Sequence, residues 1–174
     1  MSRTIERLPN DFRGERTIFS SSGPTGELPE NRLTERHRAL LRYWRSKGHD
    51  GTIPRRADIE PLEIPRLLPN LLLWDVVDDD YECRLSGSEV DLSMGTVMKG
   101  CRLSDIKCPL IGEAKDEFDA VRDGELASFA ERTMGWLGKP YLYYRHLLMP
   151  LLDDHGRIRI LISLLTFHPV SELH

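Results

Sequence analysis

The residues able to do chemistry are few and scattered along this chain. Ser88 follows a strand-like run in "LSGSEV", where many hydrolases put a nucleophile. The G-x-S-x-G elbow is missing, because Ser86 precedes Gly87 and no glycine follows Ser88 by two positions. A hydroxyl just ahead of a helical pattern suits an N-cap, so Ser88 is assigned to a cap and no catalytic residue is assigned. Six histidines raise the question of a metal, but no pair has ligand spacing. His37 lies on a helix stripe, His155 in a turn and His168 near the end; His146, in a strand, is the one placed near a pocket. Cys83, Cys101 and Cys108 cannot all pair, and none forms C-x-x-C.

Two arginines sit in the middle of strand-like runs, Arg84 in "YECRLSG" and Arg145 in "YYRHLL". A charge there is expensive if buried alone. Turned inward together, the two would favour an anionic ligand. Turned outward, they snorkel along the sheet, or Arg84 pairs with Asp75 on the neighbouring strand. Residues 32 to 56 hold eight Arg or Lys and only two acidic residues. No helix-turn-helix spacing follows, so this basic face is read as solvated or as a dock for an acidic protein, not as a nucleic-acid surface. Met134, Trp136, Tyr141, Tyr143 and Tyr144 cluster in "MGWLGKPYLYYR", which suits a cavity wall, a core or a dimer interface.

These residues need elements to hold them. The chain has 174 residues, 40% hydrophobic and 30% charged, with a formal net charge of -4. That is the composition of one globular domain, and its negative balance argues against a polyanion as principal partner. No stretch reaches the ~18 consecutive apolar residues of a membrane helix. The charged N-terminus lacks the apolar core of a secretory signal, so a reduced cytoplasmic setting is expected. Residues 1–30, with "FSSSGPTGELPEN", are expected to be a flexible tail ahead of a single domain at 31–170. A helix is expected over 32 to 47, capped by Asn31, with Leu33, His37, Leu40, Leu41 and Trp44 as one stripe. Prolines limit 49 to 70 to single turns. Strands are expected at 71 to 77 and 81 to 87, short helices at 88 to 95 and 103 to 106, and a helix at 110 to 122 whose buried face is Leu110, Ala114, Phe118 and Val121. Three further strands follow at 126 to 134, 140 to 151 and 157 to 167, the last two joined at Asp153–Gly156.

Two hairpin groups separated by helices disfavour a doubly wound parallel sheet. The expected architecture is α+β: a five-stranded antiparallel sheet with helices on one face, plus an N-terminal helix. The last strand is apolar on both faces, so its second face must also be covered, by that helix or by another copy of the chain. This order, and the segments "YWRSKG", "PRRADIEPLEIPRLLPNLLLWDV", "YECRLSGSEVDLSMG" and "YYRHLLMPLLDDHGRIRILIS", resemble a PAS domain, in particular a bacterial family of short stand-alone PAS-type proteins. The most specific parts are R-x-D-I-x-P-x-E-I-x-x-x-L-P from Arg56 to Pro69 and R-L-x-G-[ST] from Arg84 to Ser88.

The resemblance implies a sensory or interaction module with a small cavity between sheet and helices. Haem is disfavoured, since neither helix beside the cavity holds a histidine. Flavin is disfavoured, since Cys101-Arg102 lacks the asparagine and glutamines of a photosensing loop. The cofactor is left unassigned, and no metal is expected. Residues expected to face the cavity are Cys83, Leu85, Leu92, Met94, Phe118, Met134, Tyr144, His146 and Ile162, with Arg84 and Arg145 as candidate anion contacts. The expected function is signalling: a small molecule or protein partner is bound, and output passes to another protein. A homodimer is expected through the N-terminal helix or the open sheet face. The alternative is a ligand-free dimerisation module; a small enzyme ranks below both.

Overall fold

The computed structural model describes residues 2–7, 15–22, 28–109, 111–124 and 126–172. Its strands are β1 (Ser2–Arg7), β2 (Glu15–Ser22), β3 (Leu71–Val77), β4 (Asp80–Ser86), β5 (Leu126–Met134), β6 (Lys139–Leu152) and β7 (Ile158–Pro169). They form one sheet in the order β1-β2-β5-β6-β7-β3-β4. Every pairing is antiparallel. The helices are α1 (Glu35–Lys47), α2 (Ser88–Met94) and α3 (Ile111–Gly124).

Side-chain alternation along the strands divides the apolar residues between two cores. In β7, Ile160, Ile162 and Leu164 join a cluster with Leu40, Leu41 and Trp44 of α1. Leu161 and Leu165 join a second cluster with Val90, Phe118 and Val121 of α2 and α3. The second face of the sheet is therefore covered, and the cover is the chain's own α1. Trp44 fixes it further by donating its indole N–H to the Pro150 carbonyl at 2.9 Å.

The five expected strands are all present, and two more precede them. Parts of the segment expected to be a flexible tail, 2–7 and 15–22, are strands, and β2 pairs along Leu126–Ala130 of β5. Without β2, β5 would end the sheet with unpaired amides and carbonyls; adding a strand satisfies them.

Local rules account for the helix starts, with two corrections. Thr34, not Asn31, caps α1: its hydroxyl accepts from the His37 amide at 3.3 Å, while the His37 ring accepts from the Thr34 amide at 3.1 Å. At α2 the N-cap is Gly87, and no side chain caps it, so Ser88 is not the cap. The reason is space. A Cβ on Gly87 would lie 2.2 Å from the carbonyl oxygens of Leu68 and Pro69, so only glycine fits where the hairpin turns into the helix. The β6–β7 turn has Gly156 at φ +74, as its position in the sequence requires. Among the described residues no helix is long and apolar enough to cross a membrane.

Candidate functional site

Between the sheet and α3 lies a cavity of about 320 Å³. Leu72 and Trp74 of β3, Tyr144 and His146 of β6 and Leu165 of β7 form its floor. The segment after α2 supplies Met98, Leu103 and Ile106, and the β5–β6 connection supplies Trp136 and Leu137. Phe118 of α3 is the central ring. It meets Trp74 edge-on at 5.2 Å between centroids and stacks on His146 at 5.9 Å. Such contacts hold flat surfaces around a space without filling it.

One wall of this apolar chamber is charged. Glu117 and Arg132 are buried together, their side chains 1% and 2% exposed, with Oε2 to Nη2 at 2.6 Å. Ser128 donates its hydroxyl to Glu117 Oε1 at 2.9 Å, and His146 Nδ1 lies 3.5 Å from the same oxygen. Burial alone would push the Glu117 carboxyl up. The Arg132 guanidinium beside it overrides that and holds it well below the usual carboxylate range. Burial likewise opposes the charge on Arg132, and Glu117 reverses the effect, so its guanidinium is held all the more firmly protonated. Burial also pushes the Tyr144 hydroxyl up to about 12, so it keeps its proton. Two buried donors on lining residues, Arg132 Nε and Trp136 Nε1, have no hydrogen-bond partner among the described residues. A buried donor left unpaired is costly, and most folds avoid it.

Four of the residues expected to face the cavity line it: Met94, Phe118, Tyr144 and His146. The others sit elsewhere, each for a definite reason. Cys83 and Leu85 were expected on one face, two residues apart. A bulge places Trp74 opposite Cys83 and Leu73 opposite Leu85, leaving Arg84 over. The extra residue turns the strand, so Cys83 enters the cavity-side core behind the lining while Leu85 packs on the α1 side. Ile162 is in the α1-side core, one residue out of phase with Leu161. Met134 is fully buried in the cavity-side core but does not border the space. Leu92 lies on the outer side of α2, 74% exposed.

The two arginines share no site. Arg84 faces solvent and donates to Asp75 Oδ2 at 2.8 Å. Arg145 lies on the α1 face, where it donates to the Tyr143 hydroxyl at 2.7 Å and lies 3.6 Å from Glu131. Glu131 also receives Arg32, at 2.7 Å and 2.5 Å. His37 completes that cluster, its Nε2 3.2 Å from the Arg145 carbonyl oxygen.

Glu117 and Arg132 were missed in the sequence. The signal was present: Glu117 stands four residues before Val121 on the buried face of α3, and Arg132 alternates with Ala130 and Met134 in a buried strand. Among the described residues no group of three or more His, Cys, Asp or Glu could hold a metal ion.

A PAS domain family model matches residues 33–165. No curated protein matches the chain. Among solved structures, that of an RNA-binding Light-Oxygen-Voltage receptor is similar at 13% identity with a TM-score of 0.49, over 88% of this chain and 39% of that one. The chain thus spans about two fifths of that receptor's length.

Proposed function

Because the chain belongs to the PAS domain family, we propose that it is a sensory module that holds a small molecule in the cavity between sheet and α3 and passes its state to another protein. One observation carries this reading: a chamber of about 320 Å³, lined mainly by apolar side chains, two of whose lining residues carry buried donors with no partner among the described residues. Small-molecule sites have this form, a mostly apolar hollow with a few fixed polar groups, and start at roughly 300 Å³. A core built only for stability would fill the space and pair the donors. The free thiols of Cys83 and Cys101 suit a reducing, cytoplasmic setting.

The output runs through α1, which lies on the far face of the same strands. In this reading a homodimer uses the outward face of α1, with Arg38 and Arg42, since the sheet face beneath is already covered. Native mass spectrometry of the freshly purified chain against its denatured mass tests the proposal. A small mass retained in the first spectrum and lost in the second is expected. A bare native mass, with no thermal stabilisation by a library of small aromatic and aliphatic compounds, would sink it.

A second reading is a ligand-free interaction module. Leu92 and Val97, 74% and 64% exposed on and just after α2, favour it. A dimer in that native spectrum with no bound mass is the result it expects.

A further inference from the structure

Granting that the cavity is a ligand site, its polar wall decides what kind of ligand. The lining offers donors. Arg132 Nε and Trp136 Nε1 are buried with no partner among the described residues, on side chains that border the space. Arg132 is only 3% exposed, so bulk water does not serve it. The Tyr144 hydroxyl, which retains its proton, is hydrogen-bonded to the Arg132 side chain and brings a third donor to the lining. Beside them Trp74, Phe118 and Leu165 present apolar surface.

Charge narrows the class. The positive charge of Arg132 is already met by Glu117 at 2.6 Å, with Ser128 on the other carboxylate oxygen. A ligand carboxylate would have to share that guanidinium with Glu117 inside a desolvated site, where like charges repel strongly. Asp105 and Lys107, the remaining charged lining residues, are exposed and opposite in sign, so they add no net charge. We infer that the cavity takes an uncharged, largely apolar molecule through a carbonyl-type hydrogen-bond acceptor, and rejects a carboxylate of the same shape.

Three probes of nearly equal shape test this on the full chain: acetylnaphthalene, isopropylnaphthalene and naphthoate. Affinities come from titration. Location comes from the indole N–H resonances of the three tryptophans, of which Trp74 and Trp136 border the cavity and Trp44 does not. The ketone is expected to bind at least ~10-fold tighter than either analogue and to move the Trp136 resonance while leaving Trp44 still. Trp136→Phe removes one donor and keeps the ring. It should shrink the preference for ketone over hydrocarbon several-fold. Glu117→Gln releases the charge of Arg132 and should raise naphthoate affinity ~10-fold. If the wild type prefers naphthoate, or binds the hydrocarbon as well as the ketone, the acceptor rule is overturned while the cavity stands. If no probe binds and neither cavity resonance moves, the ligand-site reading falls, and this inference with it.

Discussion

The two faces of the central strands carry the same chemistry to different ends. Glu131 and Arg132 are neighbours in β5, and each belongs to a buried carboxylate–arginine pair, on opposite sides of the sheet. On the α1 side, Glu131 is 1% exposed, but its arginines, Arg32 and Arg145, are 21% and 16% exposed. They lie along a helix seam and reach water at one edge, so the pair acts as a staple. On the cavity side both partners are buried, and Arg132 borders a space instead of a packed element. In a sealed pair each charge depends chiefly on its partner, because no bulk water compensates if one member goes. The comparison teaches that a buried ion pair is not one kind of object; its consequences depend on whether its far side meets solvent, helix or hollow.

The largest test of that difference is Arg132→Met. It leaves Glu117 buried and unpaired, and is expected to cost about 3–5 kcal/mol in urea unfolding. Adding Glu117→Gln should recover a substantial part of that loss. A single-variant cost under about 1 kcal/mol would show that the wall is wetter than its burial implies.

Next comes the pH response of the α1 face. Burial pushes the His37 imidazole down to about 3 from an ordinary value of 6.5. The unfolded chain therefore takes the proton first. This stability is fully present above about pH 6.5 and is lost as pH falls towards 3. Between about pH 7 and 5 the loss attributable to His37 is about 2 kcal/mol. His37→Gln should lower stability at neutral pH and flatten that slope; an unchanged slope would remove His37 as its source.

Glu131→Gln should cost on the order of 1.5 kcal/mol, less than the Arg132 variant, because Arg32 and Arg145 can turn to water. A cost equal to or above that of Arg132→Met would erase the distinction between the two faces. Smallest of all, Thr34→Ala removes the cap of α1 and should cost about 1 kcal/mol. Hydrogen exchange should then quicken in α1 and not in α3; equal quickening in both would mean the helices do not respond separately.

Much of the fold could be read along the chain because the signals were local. The stripe Leu40, Leu41 and Trp44 marks α1, the double-faced apolar run of β7 calls for two covers, and turn chemistry locates Gly156. The site was harder to read. Met94, Phe118, Tyr144 and His146 follow simple alternation or helical spacing and line the cavity. Cys83 and Leu85 do not share a face because one bulged residue reverses a strand, and no composition rule marks which residue will bulge. Glu117 and Arg132 went unread because each alone looks like an error in an apolar pattern. Fifteen residues apart, they make sense only as a pair.

What the sequence determined by itself is the order of elements from α1 onward, the two apolar faces of the sheet and the family signature from Arg56 to Ser88, since all of these rest on neighbours within a turn or a strand. Tertiary structure alone decided that α1 covers its own sheet, that β2 extends β5, that Gly87 must lack a side chain, and that a carboxylate and a guanidinium meet beside a cavity. Those outcomes depend on distances between residues remote in the chain, which packing sets and local propensity does not.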